Sequence, residues 1–416
     1  MLIALMVLDL AYDPALGQDR QRNYGNVPDA MLPYGKYKKP YKHFFDESQP
    51  FLGPGREKSP VSNLKSVKIG FIGPLEGTVD APLGQRMLQG AVLALEEANE
   101  AGGYQGLPFE FVIRNDAGLW GASGNTFVEL DEEHVWAILG SIDGASTHVI
   151  LRVALKLEIP IVNTGTTDPT LTETRIPWII RCIADDRQSG YALADYIFNH
   201  KDLKRVTVLR DNNRYGRTGI VEFQDTARRL GHPLMFELRY STGDTDFTPQ
   251  LDRIRRVNAE AVVIWGNARE AALIVKQMRQ MGMEQLVFGA DRLVSPEFIE
   301  IAGEAAEGVV ATYPYNPGRN DPHLEEVSRR YAERFHEELE AFAAHAYDGM
   351  TILIEAIGKA GLNRTRIRDE LTALKTYHGI TDNILFDETH NDIGPVWLSE
   401  VRNGEFHFFP STLAEQ

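Results

Sequence analysis

Apolar residues in this chain follow two periods that take turns from Val67 onward. The run VKIGFIG, residues 67–73, has the length and composition of a short buried strand. The stretch after it, GQRMLQGAVLALEEANEAGG, sets Leu88, Ala91, Val92, Leu95 and Ala98 on one helical face and ends on a glycine pair. FEFVIRND, a polar helix from about residue 121, WAILGS, a helix from about residue 146 and IPIVNTG continue the alternation. Strands that alternate with helices predict right-handed crossovers and a parallel sheet. The rhythm then restarts: RVTVLRD, LMFELRY, AVVIWG and LVFGAD alternate with helices opened by RYGRTGIVEF, DFTPQLDRIRRV, REAALIVKQMRQMG and SPEFIEIAG. The pattern predicts an α/β chain of two doubly wound parallel-sheet lobes. After GVVATYPY come three helical segments, and near the end Asn403-Gly404 separates two alternating runs, a hairpin signal.

A length of 416 residues exceeds one ordinary core and suits two lobes, with a cleft between them. The 59 acidic and 43 basic residues leave a net charge of -16, which repels phosphate backbones and anionic lipid, so nucleic acid is not an expected partner. The single cysteine, Cys182, excludes an intrachain disulfide and a multi-cysteine metal site, and in the apolar run PWIIRC it reads as a buried, inert thiol. Residues 1–17 carry a short apolar run followed by Ala15-Leu16-Gly17, like an export signal with its cleavage site, although no lysine or arginine precedes the run. Residues 18–65, rich in proline, glycine and aromatics, read as an extended arm lying on a surface. No other apolar stretch approaches the roughly 20 residues that span a bilayer, so direct membrane insertion is not expected.

Signals of catalysis are missing. GLWGASGNT resembles a phosphate loop but has Asn125 where the lysine must stand, FHEELEAFAAH lacks the second histidine of a zinc helix, and no G-x-S-x-G elbow occurs. No enzyme activity, cofactor or metal is expected.

Two loops carry candidate binding chemistry. SIDGASTH follows WAILG, and NTGTTDP follows IPIV; loops at the carboxyl ends of parallel strands, where helix N-termini present free N–H groups, favour anions. Thr166, Thr167 and the backbone near Gly165 are placed to hold one side of a carboxylate, and Ser146 with Thr147 the other. A threonine or aspartate after a strand is also a common helix N-cap, and only the two loops together favour binding. Trp265, Tyr313 and Trp120 offer side-chain walls for a pocket, but core packing is the expectation for each. Arg114, Asp116 and Arg292 fit either polar ligand contacts or surface ion pairs.

The segments KIGFIGPLEG, AILGSIDGASTHVI, IPIVNTGTTDPTLT, DNNRYGRTGIVEF, DTDFTPQLDRIRRVNAEAVVIWG and FGADRLVSPEFIEIAG, taken in order, resemble the type I periplasmic binding proteins. The closest likeness is to the branched-chain amino acid (Leu/Ile/Val) type of ABC-transporter substrate-binding protein, from about Val67 to about Phe409. The resemblance implies a three-crossover hinge, with lobe 1 at 66–185 and 315–393 and lobe 2 at 186–314 and 394–416. It implies a ligand in the cleft and a closed form presented to an ABC permease. The family's first-loop serine falls on Gly144, with Ala145 and Ser146 beside it, and the second-loop positions fall on Gly165 and Thr167. Tyr215 matches the tyrosine that covers the ligand, and Asp291 the carboxylate that pairs with an ammonium group. Asn267 stands where an aromatic is usual, and Asp143 and Asp168 add negative charge beside the expected carboxylate. The expected protein is a periplasmic solute-binding protein for an amino acid or related polar compound; a ligand-sensing receptor module of the same fold is the alternative.

Overall fold

The structure is a computed structural model that describes residue 55 and residues 63–117, 119–412 and 414. The expected export signal, 1–17, lies outside the described residues, and of the arm, 18–65, only Gly55 and residues 63–65 fall within them.

The first alternation forms a five-stranded parallel sheet from β1 (Val67–Gly73), β2 (Phe109–Asn115), β3 (Ile138–Gly140), β4 (Ile161–Asn163) and β5 (Ile179–Arg181), in the order β2-β1-β3-β4-β5. Its strands are joined by α1 (Ala81–Glu100), α2 (Trp120–Glu132), α3 (Gly144–Leu157) and the short α4 (Thr170–Glu173). The chain then leaves this sheet through α5 (Asp186–Asp195) and builds β6 (Val206–Asp211), β7 (Glu237–Tyr240), β8 (Ala261–Trp265), β9 (Leu286–Gly289) and β10 (Val310–Tyr313). Helices α6 (Arg214–Arg229), α7 (Thr248–Arg256), α8 (Ala268–Gln280) and α9 (Pro296–Ala302) connect them.

A return excursion follows. The helices α10 (Pro322–Phe335), α11 (Ala341–Ala360) and α12 (Arg364–Ala373) lead to a small antiparallel pair, β11 (Thr376–Gly379) and β12 (Asp382–Leu385). The close α1–α11 crossing explains one glycine: a Cβ at Gly90 would lie 2.0 Å from the Ala343 carbonyl oxygen. Tyr331 and Tyr347 then donate from α10 and α11 to Gln89 and Glu97 of α1, at 2.6 and 2.5 Å. The chain crosses once more to add β13 (Trp397–Arg402) and β14 (Glu405–Pro410), completing a seven-stranded sheet ordered β14-β13-β10-β9-β8-β6-β7. Asn403 and Gly404 both adopt positive φ, 53° and 78°, as the Asn-Gly turn predicts.

The order of β7, β6, β8, β9 and β10 repeats that of the first sheet, so each sheet reverses its winding at one point, between β1 and β3 and between β6 and β8. A crevice opens at the carboxyl ends of strands at such a reversal. Two segments on which the chain passes between the sheets are tied by a buried network. Arg181 donates to Asn391 Oδ1 at 2.6 Å and to Asp185 Oδ2 at 3.0 Å, and Asn391 donates to the same Asp185 oxygen at 3.1 Å.

Sequence reading does not anticipate β5, α5 or the β11–β12 pair. PWIIRC supplies only three strand residues, and α5 begins in the polar run DRQSG, where an apolar period is absent. One signal was there: Asp185 and Gln188 form a capping box, with Asp185 accepting from the Gln188 N–H at 3.1 Å and the Gln188 side chain accepting from the Asp185 N–H at 3.0 Å. Cys182 is buried, and burial pushes its thiol well up, the state of an inert thiol.

Candidate ligand-binding site

Loops after β1, β3 and β4 face loops after β6 and β9 across a cavity of about 50 Å³. On the first side the NTGTTDP segment is organised by Asn163, whose Oδ1 accepts from the Thr166 N–H at 3.0 Å and whose Nδ2 donates to the Ser141 carbonyl at 2.8 Å. The Thr166 hydroxyl lies 2.9 Å from the Ser141 carbonyl and 2.9 Å from the Thr147 hydroxyl, so it ties the two loops together. Thr166, Thr167 and Gly144 line the cavity; Gly165, Ala145 and Ser146 do not.

Gly165 sits deeper, where an added Cβ would meet Met87 and Ile142 at 2.7 Å. Ser146 is fully buried with its hydroxyl unpartnered, and its N–H donates at 2.7 Å to Asp143 Oδ1. The α3 N-terminus, expected to receive an anion, is thus capped by the chain's own carboxylate.

On the second side, Tyr215 near the start of α6 lines the cavity and donates at 2.6 Å to Asp291 Oδ1. The Arg292 guanidinium stacks 4.0 Å from the centre of the Tyr215 ring, and donates to Asp80 at 2.9 Å and to Asn267 Oδ1 at 2.7 Å. Asn267 and Asp291 therefore stand one layer behind the wall, Asn267 holding Arg292 and Asp291 holding Tyr215. Both keep one polar atom buried and unpartnered, Asn267 Nδ2 and Asp291 Oδ2. Trp265, directly behind Tyr215, is fully buried, as is Tyr313 in the core, in line with the expected packing. Trp120 departs from it: as the first residue of α2 it projects from the helix start and is 65 % exposed. Arg114 forms surface pairs with Glu129 and Glu133, whereas Arg292 belongs to the cleft.

One residue with no sequence assignment belongs with this group. Asp186, the first residue of α5, is 1 % exposed, accepts from the Thr218 hydroxyl at 3.2 Å on Oδ2, and leaves Oδ1 without a partner. Burial pushes its carboxyl well up, and the nearby Asp291 charge adds to this. Burial also raises Asp291, against the Tyr215 hydrogen bond and the Arg292 charge. Two buried carboxylates, each with an open oxygen, thus stand behind the cavity wall, Asp186 beside Thr167, to whose carbonyl its N–H donates at 2.8 Å, and Asp291 behind Tyr215. A cation placed between them would relieve both.

Two arginines cross the cleft. Arg214 reaches from α6 to Asp168 Oδ2 at 2.6 Å, and Arg292 reaches Asp80, ahead of α1. Burial alone would raise Asp168, but hydrogen bonds from His148 and Thr170 and the Arg214 charge outweigh it and hold the carboxyl well below its usual range. Among the described residues no group of three or more His, Cys, Asp or Glu is placed to hold a metal ion, and no helix is long and apolar enough to cross a membrane.

A periplasmic binding protein family model matches residues 66–405, and the chain belongs to that family. Among its relatives is the leucine-, isoleucine-, valine-, threonine- and alanine-binding protein of Pseudomonas aeruginosa, 26% identical over 324 residues, with 78% of this chain and 86% of that one covered. A leucine-binding protein from Thermotoga maritima superposes with a TM-score of 0.76 at 29% identity, covering 82% of this chain and 97% of the other. A branched-chain amino acid transporter substrate-binding protein from Streptococcus pneumoniae, in complex with isoleucine, gives 0.77 at 25%, covering 82% and 98%. The fold is that of type I periplasmic binding proteins.

Proposed function

We propose that this chain captures a small ammonium-bearing solute, an amino acid or a related compound, in the cleft and delivers it to an ABC permease from the periplasm. The observation that carries the reading is the pairing of Tyr215 with Asp291, which leaves Asp291 Oδ2 open and buried beside the equally open Asp186. A buried carboxylate oxygen without a donor is costly, and an ammonium group removes that cost. The relatives named above bind amino acids, which supports the same class of solute here.

In this reading lobe 1 comprises 66–185 with 315–393, and lobe 2 comprises 186–314 with 394–416. Solute meets the loops of lobe 1 around Gly144 and Thr167 first, and Tyr215 with Asp291 then closes over it. Binding energy shifts an open-to-closed equilibrium, and the closed surface is what a permease reads.

The test is a thermal-shift panel of amino acids, amides and amines on the purified chain and on Asp291→Asn. A solute at 100 times its dissociation constant stabilises the native state by about 2.7 kcal/mol. The expected result is stabilisation that the substitution removes; a shift of equal size in both proteins places the solute elsewhere.

A further inference from the structure

The charges around the cavity do not balance, and the imbalance bears on what the solute carries. Asp80, Asp143 and Asp168 line it, with Asp186 and Asp291 directly behind Thr218 and Tyr215, against the two guanidinium groups of Arg214 and Arg292. Both guanidinium groups are already engaged by carboxylates across the cleft, Arg214 by Asp168 and Arg292 by Asp80. The place expected for a solute carboxylate is flanked by the chain's own: Asp143 caps α3, and Asp168 accepts from the Thr170 N–H at 2.9 Å and from Arg214 Nε at 2.7 Å. Gly144 lies between them, an added Cβ falling 3.1 Å from both Arg214 Nε and Asp168 Oδ2.

Behind the same wall the demand is for positive charge, with Asp186 near enough to Thr167 for its N–H to donate to the Thr167 carbonyl at 2.8 Å. Asp186 is 1 % exposed and Asp291 is 6 % exposed, and each keeps one carboxylate oxygen with no hydrogen-bond donor. A zwitterion would satisfy these oxygens with its ammonium group while bringing its carboxylate against Asp143 and Asp168. Juxtaposed like charges cost enough to reject a partner. The side-chain wall tells the same story: among the described residues Ile142 is the only aliphatic one lining the cavity, and Asn267, where an apolar wall was expected, holds Arg292 instead. The cavity of about 50 Å³ is lined mostly by polar and charged side chains, so a branched aliphatic side chain would find few apolar partners there.

We infer that the cleft selects a small organic cation without a carboxylate, a primary amine or an amino acid amide, whose ammonium group sits between Asp186 and Asp291. This rests on the cleft being the solute site, as proposed above. The cation supplies N–H donors to the two open oxygens and offsets the excess of carboxylates, and its small polar remainder lies in the cavity that Thr167 and Gly144 line.

Isothermal titration with matched pairs tests it: glycinamide against glycine, alaninamide against alanine, and ethanolamine as an amine with neither group. The full chain is compared with Asp186→Asn and Asp291→Asn, each checked for an unchanged circular dichroism spectrum. The expected result is binding of amides or ethanolamine at least about tenfold tighter than of the matched amino acids, lost in both variants. Amino acids that bind as tightly as their amides, with binding still lost in Asp291→Asn, overturn the inference and leave the cleft site intact. Binding of any probe that survives both variants overturns the cleft reading itself. An absence of heat with the amides and ethanolamine counts against the inference directly.

Discussion

Arg214 and Asp168 meet across the cleft with Nη2 2.6 Å from Oδ2, although one belongs to α6 and the other to the loop after β4. Asp168 is almost wholly buried in this contact, and Arg214 is about a third exposed. Removing the guanidinium leaves a buried carboxylate short of its cation, so Arg214→Ala is expected to disfavour the closed arrangement by about 1 to 3 kcal/mol. Small-angle scattering of the ligand-free protein should then show a larger radius of gyration than the parent. An unchanged radius would mean that the pair does not hold the halves together.

Among the described residues, the Tyr215 hydroxyl is the only side-chain donor that hydrogen-bonds to Asp291. Tyr215→Phe strips that donor and keeps the ring under Arg292. The expected loss is about 1 to 3 kcal/mol in urea denaturation at neutral pH. Because the lost bond favours the charged carboxylate, Asp291 should also titrate at still higher pH in the variant. A variant as stable as the parent would show that water or another group replaces the phenol.

Asp392 lies in a crossing segment, and burial pushes its carboxyl up from 3.8 to about 7. Between these values the folded chain keeps a proton that the unfolded chain has released, so the contribution of this group to stability falls as pH rises from about 4 to about 7 and stays low beyond it. Asp392→Asn has no proton to lose, and its amide oxygen can still accept from the Gly394 N–H, as Oδ1 does at 2.7 Å. Denaturation between pH 4 and 8 should show a shallower decline for the variant and greater stability than the parent above pH 7. Parallel curves would remove Asp392 as the source.

Gly219 on α6 faces the Trp265 indole, and an added Cβ would lie 2.1 Å from Nε1. Gly219→Ala must displace Trp265 or the helix, and with them Tyr215, at a cost of about 1 to 3 kcal/mol. Gly121 in α2 provides the contrast, since nothing stands within 4 Å of its added Cβ. Gly121→Ala should stabilise by about 0.4 to 1 kcal/mol through helix propensity and chain entropy. Thermal melts of the pair should therefore move in opposite directions, and melts that move together would contradict the packing described for Trp265.

The fold was legible wherever a run was long enough to show its period. The strand 67–73 is bounded as the sequence suggests, and the Asn403-Gly404 turn has the expected backbone. β5 escaped because a three-residue strand has no period to show, and α5 because each residue of its buried helix packs against something, leaving no apolar stripe. The candidate site was legible in its loops and less so in its partners. Asp291 stands out after a strand, but Asp186 is one of two adjacent aspartates in an unassigned stretch, and only folding brings it beside residues 218 and 291. The engagement of Arg214 with Asp168 and of Arg292 with Asp80 likewise depends on how two sheets face each other, which local pattern does not encode.

Neither sheet with its covering helices is built from a continuous stretch of chain. α1 waits for α11, which is separated from it by the whole of β2 to β10, and β10 waits for β13 and β14 at residues 397–410. During synthesis, then, the first sheet cannot cover its apolar face before α11 has been made, nor the second complete its edge before β13 and β14. A nascent chain lacking those segments stays open and threadable, and removing the β13–β14 hairpin would strip the edge from the larger sheet.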